Sequence, residues 1–174
     1  MTHTTKNSLL SAGLAMLLEH GYNGLGLQSL LSATGIPKGS FYHHFRDKQD
    51  LLCAIAEEGF RRFVGVLTLD GSNLSRESLA AFVRDYLHFA VDNAEYYDLM
   101  FGGHLWKSAE ITGALQREAH GAFRFYLEQA RGWQAQDFVN PELDPLRYAQ
   151  VSWSTLHGLS RLLEPVYAPI RRIL

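Results

Sequence analysis

Apolar residues recur at three- and four-residue intervals almost everywhere in this chain, and runs that alternate strictly between apolar and polar positions are missing. Over 5–20 the leucines Leu9, Leu10, Leu14, Leu17 and Leu18 fall at helical spacing, and Gly21 supplies a helix stop. After the glycine-rich break at 21–26, Leu27, Leu30, Leu31 and Thr34 mark a short second helix with Gly26 at its N-cap and Gly35 at its end. Ile36 and Pro37 form a tight connection, because the residue before a proline is pushed out of the helical region. A third short helix follows over 38–45. Asp47 is placed to cap a fourth, with Asp50 in the first turn where negative charge complements the helix dipole; Leu51, Leu52, Ile55, Phe60 and Phe63 carry it toward Thr68.

Four turn formers in a row, Asp70, Gly71, Ser72 and Asn73, end this part. A fifth helix over 75–93 opens at Ser75, with Ser78 following, and carries Leu79, Phe82, Val83, Tyr86, Leu87 and Ala90 on one face. Then come a short aromatic helix over 96–101 and a long one over 108–134 that Gly113 or Gly121 interrupts. Asn140, Pro141, Asp144 and Pro145 mark a loop, and the last amphipathic helix, over 146–163, is built on Val151, Thr155, Leu159, Leu162 and Leu163; Pro165 and Pro169 frame a short tail. The expected fold is all-α, without repeats or low-complexity tracts.

At 174 residues the chain suits one domain, or a small module beside a larger one. Cys53 is the single cysteine, so an intramolecular disulfide, a zinc ribbon and a redox pair are excluded and a reducing cytoplasm is the expected home. Lys6 ahead of the apolar stretch 9–18 imitates a secretory signal, but Glu19, His20, Gly21 and Tyr22 follow it in place of cleavage chemistry. No apolar run approaches the roughly 20 residues that span a membrane. Net charge is −2, unevenly spread: the first 63 residues carry six basic against five acidic side chains, and the remainder ten against thirteen. The positive end is N-terminal, and two functionally different parts are expected.

Enzyme signatures are weak. Gly24-Leu25-Gly26 with Ser29 has the look of a dinucleotide loop, but it lies between helices with no preceding strand. GxSxG, P-loop and HExxH patterns are absent, and His88 with Asp92, a His–carboxylate pair at i, i+4, sits on what reads as a solvated face. Catalytic residues, metal ligands and cofactors are therefore expected to be none.

The informative string is Gly35-Ile36-Pro37-Lys38-Gly39-Ser40-Phe41-Tyr42-His43-His44-Phe45, followed by Asp47-Lys48. Three helices, two of them short and joined by a tight turn, suit a helix-turn-helix whose last member enters the major groove. Phe41 and Phe45, four residues apart, face a small core and leave Ser40, Tyr42, His43 and His44 outward; Gly39 lets the backbone approach DNA closely. Lys, Ser, Tyr and helix-start N–H groups are phosphate ligands. The string closely resembles the DNA-binding domain of the tetracycline-repressor (TetR) family of bacterial transcription regulators, over roughly 6–64. The resemblance implies groove contacts by Lys38, Tyr42 and His43, backbone contacts by Ser40, His44 and Lys48, and a further base contact by Gln28. Gly26 and Leu27 stand where the family often holds Thr or Ser, so a hydroxyl cap on the second helix is missing.

The resemblance divides the chain into a helix-turn-helix domain, 1–64, and a ligand-binding and dimerisation domain, 65–174. It implies a homodimer on a palindromic double-stranded operator, released by a small-molecule effector of unknown identity. Aromatic residues crowd the second part, and Phe89, Met100, Phe101, His104, Trp106, Phe123, Trp153 and His157 are candidates for the pocket, with plain core packing as the competing reading. Gly102 and Gly103 suggest a mobile rim beside His104. Residues 153–159 resemble the penultimate helix of several TetR-like subgroups, which implies a dimer seam of Thr155, Gly158, Leu159, Leu162 and Leu163; an end at Leu174, early for the family, implies a smaller or differently built interface. Cys53 reads either as a small buried residue or as a redox-sensitive thiol of the kind some relatives with a similar helix use. The competing function is a helical small-molecule sensor or carrier that acts through a protein partner; steep salt dependence separates DNA binding from it.

Overall fold

The computed structural model describes residues 4–67, 74–107 and 110–170, with backbone alone for 163–170. Eight helices are present among them: α1 Thr5–Gly24, α2 Leu27–Thr34, α3 Lys38–His44, α4 Lys48–Leu67, α5 Arg76–Asp92, α6 Ala94–Phe101, α7 Gly113–Ala135 and α8 Pro145–Ile170. No strand occurs among the described residues, so the fold is all-α. The chain forms two compact units, one of residues 1–60 with 95–118, the other of 61–94 with 119–174. The segment 95–118 thus belongs with the N-terminal helices.

In the first unit α1 packs on α2 and α3. Leu9, Leu17, Leu30, Phe41, Phe45, Leu51, Leu52 and Ile55 form its buried core. The buried stripe of α1 is centred on Leu9, Gly13 and Leu17, whereas Leu18, counted as apolar stripe from spacing, is 63% exposed. Gly13 belongs to that stripe because α4 lies against it: a Cβ there would sit 2.9 Å from Ile55 Cδ1. Gly21, with φ 68 and ψ −178, breaks α1 where a stop is expected, but one further turn follows and ends at Gly24.

The helix starts and stops follow from local chemistry. Gly26 caps α2 without a side-chain bond, as expected from the missing hydroxyl. Gly35 adopts φ 67, ψ 9, and its N–H donates to Leu31 O at 3.0 Å, closing α2 and opening the turn into α3. Asp47 Oδ1 accepts from Asp50 N at 2.8 Å, capping α4, while Asp50 Oδ2 accepts from Arg46 N at 3.0 Å. Along α4, Gly59 permits close approach of α6: a Cβ would fall 2.7 Å from Met100 Sδ and 2.9 Å from Tyr96 Cδ1. The long helix begins at Gly113 and not at 108, because Thr112 Oγ1 accepts from Leu115 N at 3.1 Å and satisfies one of the free N–H groups of its first turn. Gly121 lies inside α7 without interrupting it.

The second unit is built on α5 against α8. Ser75 and Ser78 form a reciprocal capping box at the start of α5. Phe63, Phe82, Tyr86, Phe89, Tyr126 and Trp133 are buried. Asp144 and Pro145, expected in a loop, open α8 instead: Asp144 Oδ2 accepts from Arg147 N at 2.7 Å, and Pro145 takes the first helical position, where its missing N–H is harmless. The helix continues past 163 through Pro165 and Pro169 to Ile170, a correction to the expected tail. Each proline deletes one backbone donor from the helix and crowds the carbonyl four residues before it. The loop expected at Asp70–Asn73 lies outside the described residues.

Candidate nucleic-acid interface

Helix α3 is divided by its anchors. Phe41 is fully buried and Phe45 is nearly so, their rings 5.7 Å apart, and this pins one face of α3 to the core. Lys38, Gly39, Tyr42 and His43 are exposed on the other face, and Ser40 and His44 are half-buried beside them. Tyr42 stands edge-on to Phe41 at 5.4 Å, with Lys38 Nζ 5.9 Å from its ring centroid, so a cation and a phenol are presented together. The His43 and His44 rings meet edge to face at 5.0 Å. Gln28 is exposed on α2. No atom lies within 4 Å of where a Cβ on Gly39 would stand, which leaves the first turn of α3 open to solvent.

Lys48 is arranged differently from the rest. Half-buried at the start of α4, its Nζ donates to Tyr22 O at 3.2 Å and lies 5.5 Å from the centroid of the Tyr22 ring. The Tyr22 hydroxyl donates to Gln49 Oε1 at 3.2 Å. Burial, reinforced by the nearby Cys53 sulfur, pushes the Tyr22 phenol up, which keeps that donor protonated. Neither Tyr22 nor Gln49 is marked by spacing; the available signal is an aromatic residue in a glycine-flanked break.

A model of the bacterial regulatory proteins of the tetR family matches residues 9–55, and one of the tetracyclin repressor-like C-terminal domain matches 79–164. The chain is 42% identical over 162 residues to the transcriptional regulator AcuR of Cereibacter sphaeroides, covering 87% of this chain and 72% of that one. The chain belongs to the TetR family. It is 28% identical over 188 residues to the transcriptional repressor NemR of Escherichia coli, covering 94% of this chain and 89% of that one. The crystal structure of a regulatory protein TetR from Rhodobacter sphaeroides superposes with a TM-score of 0.72 at 27% identity, covering 95% of this chain and 92% of that one. This TetR-family chain is a DNA-binding transcriptional regulator, and the relatives it matches are regulators rather than enzymes.

The candidate pocket residues of this TetR-family regulator fall in both units. In the second, Trp153 is half-buried and ringed by Phe63, Tyr86, Phe123 and Tyr126, all edge to face, with centroids 5.9, 6.0, 5.5 and 4.9 Å away. Phe89 is buried against Phe63 at 5.1 Å. His157 lies one turn beyond Trp153, and burial together with Arg161 holds its imidazole below the usual histidine range. The other four lie in the first unit. There Met100 is buried beside Gly59, Phe101 meets Phe60 edge to face at 5.4 Å, and Trp106 Nε1 donates to Met100 O at 2.6 Å. His104 is exposed and stacks on Tyr22 at 5.3 Å.

On α8, Val151, Thr155, Gly158, Leu159 and Leu162 are exposed, at spacings that put them along one side. The Leu163 side chain lies outside the described residues. Cys53 is fully buried, with Sγ 4.0 Å from Glu110 O. Burial pushes its thiol up, Glu57 and Asp50 add to this, and hydrogen bonds at Thr112 oppose it; a raised thiol is a poor nucleophile. His88 and Asp92 are both exposed. Among the described residues no cluster of metal-ligating side chains occurs, and no helix is long and apolar enough to cross a membrane.

Proposed function

We propose that this protein is a homodimeric repressor that binds a palindromic operator and is released from it by a small molecule. The observation that carries the reading is the division of α3, whose Phe41 and Phe45 are locked in the core while Lys38, Gly39, Tyr42 and His43 face outward. Lys38, Tyr42 and His43 serve as groove contacts, Ser40, His44 and Lys48 bind phosphates, and Gln28 adds a contact from α2. A reading head with a net charge of only +1 over its first 63 residues gains little from long-range attraction. Pairing two heads doubles the phosphate contacts and matches the two half-sites of a palindrome.

The exposed side of α8 supports pairing, since Val151, Leu159 and Leu162 offer apolar area and Gly158 permits close helix approach. Residues 1–64 act as the reading head, and 65–174 as the effector and dimerisation part. Phe89, Phe123, Trp153 and His157 form the aromatic wall an effector meets, and His157, held neutral, offers a hydrogen bond without a charge. Linkage requires operator DNA to weaken effector binding by the factor with which effector weakens DNA binding. No cofactor is needed, no chemistry is performed, and the site of action is the cytoplasm.

Fluorescence anisotropy of the purified protein on DNA from upstream of its own gene, at two salt concentrations, tests the reading. The expected result is specific binding that weakens steeply with salt and is lost in Tyr42→Ala. Binding indifferent to salt and to Tyr42→Ala overturns it and favours a carrier that docks on a protein.

A further inference from the structure

A lysine that meets a phosphate usually starts as a free, strongly hydrated side chain and loses rotamer entropy on being fixed. Lys48 is fixed beforehand. Its ammonium has three donors, of which one goes to Tyr22 O at 3.2 Å, leaving two for an incoming oxygen. Both Tyr22 groups that hold it, a carbonyl dipole and a ring face 5.5 Å away, stabilise the cation without cancelling its charge, as a carboxylate partner would. The Tyr22 hydroxyl meanwhile bonds Gln49, the next residue of α4, at 3.2 Å, so Tyr22 grips the first turn of α4 at two points.

Tyr22 is itself held in place. Gly21, at φ 68, breaks α1 one residue earlier and sets the ring apart from the preceding helical stripe. His104 then stacks on the ring, with centroids 5.3 Å apart and planes 23° from parallel. The turn after α6, in which Gly103 adopts φ 79, places His104 there. Leu17, Gly21, Tyr22, Glu95, Asp98, Leu99 and His104 line a small cleft at this junction, with room of about 40 Å³, which is too little for a drug-sized ligand and leaves the stack as its main feature.

We propose that Tyr22 is a positioning residue for DNA binding: it presents Lys48 to a backbone phosphate, and the stack of His104 keeps the Tyr22 ring in the orientation that does so. The inference rests on the proposed reading in which Lys48 meets the DNA backbone. It makes the loop after α6 a determinant of one phosphate contact per protomer, although no residue of that loop is needed at the DNA itself.

The test uses the full-length protein and a duplex selected from random sequence with the wild type, with affinity measured by anisotropy between 50 and 200 mM salt. Lys48→Ala is expected to lower the slope of log affinity against log salt by about 0.9 per protomer, or about 1.8 for a dimer. Tyr22→Leu is expected to lower affinity and slope toward the Lys48→Ala values, and to add little in the double variant. Tyr22→Phe, which keeps the ring and the carbonyl, retains the wild-type slope. His104→Ala, an exposed substitution, lowers the slope in part and has no effect once Lys48 is gone. Should Tyr22→Leu fail to fold by circular dichroism, the His104→Ala and Tyr22→Phe pair carries the result. Wild-type slope in both Tyr22→Leu and His104→Ala, or losses that simply add to that of Lys48→Ala, overturn the proposal. An unchanged slope in Lys48→Ala overturns it while leaving DNA binding intact, and a wild type without salt-sensitive binding overturns the functional reading beneath it.

Discussion

Two glycines four residues apart, Gly35 and Gly39, offer a controlled comparison. At both positions an added Cβ meets nothing within 4 Å, so packing is removed from the account and backbone conformation alone remains. Gly35 sits at φ 67, where an L-residue costs roughly 1–2 kcal/mol, partly offset by the lower entropy of the unfolded chain. Gly35→Ala is therefore expected to destabilise by about 1 kcal/mol. Gly39 lies in the first turn of α3 with ordinary helical geometry, where alanine stabilises by about 0.5 kcal/mol. With a urea slope of about 2 kcal/mol/M, the midpoint should fall by about 0.5 M in the first variant and rise by about 0.25 M in the second. DNA binding should run the other way for Gly39→Ala. A methyl group forced into a close approach costs roughly 1–3 kcal/mol, or roughly 5- to 150-fold in affinity. A stabilised Gly39→Ala that binds DNA as the wild type does would refute the idea that this turn touches the backbone. Equal midpoints for Gly35→Ala and the wild type would refute the account of the turn.

Three further outcomes are expected. Gly59→Ala should lower the thermal midpoint despite better helix propensity, because its Cβ would lie 2.7 Å from Met100 Sδ and 2.9 Å from Tyr96 Cδ1, and overpacking costs roughly 1–3 kcal/mol; a midpoint at or above that of the wild type would show that α6 yields freely. Burial pushes the Tyr126 phenol to about 12 from 10.0, so above pH 10 the unfolded chain loses a proton that the folded chain keeps, and stability should fall by roughly 1.4 kcal/mol per pH unit until the folded group titrates. Tyr126→Phe should abolish that contribution while giving up about 1 kcal/mol at neutral pH with the bond to Ser152 Oγ, measured by urea titration at pH 8 and 11. Leu162→Glu, at a position 70% exposed, should leave the helix content unchanged but halve the mass seen in sedimentation and weaken operator binding; a dimer of wild-type affinity would exclude this side of α8 from the interface.

Helix existence was legible because the signals are local. Gly35 ends α2 through a single φ, Ser75 and Ser78 cap each other, and the leucines of α1 repeat at a fixed spacing. The pattern misleads where a partner that carries no apolar signal decides. Leu18 looks like core until Gly13 is seen to carry the buried stripe, and a glycine has no hydrophobicity to register in a pattern. Thr112 moves the start of α7 because its hydroxyl serves both Leu115 N and, at 3.0 Å, Glu57 Oε1, 55 residues away in sequence. Pro145 reads as a loop residue and is a helix opener, a distinction that depends on the Asp144 carboxylate bonding forward. At the candidate site, α3 could be read from its own residues because its two faces differ in polarity. The Tyr22 grip on Lys48 could not, since its partners lie 26 residues apart and are joined through a backbone carbonyl that any residue would supply.

The division of the chain has a practical corollary. The polypeptide leaves the first compact unit inside α4, returns to it at 95 and leaves again inside α7. A reading head cut at the end of α4 would lack Tyr96, Met100, Leu105 and Leu115, and would turn the surfaces they cover, such as that around Gly59, toward water. Cassette engineering would splice this head onto another sensor. For this chain the transferable cassette is discontinuous: a graft must carry two stretches and rejoin three seams, two of them in the middle of helices.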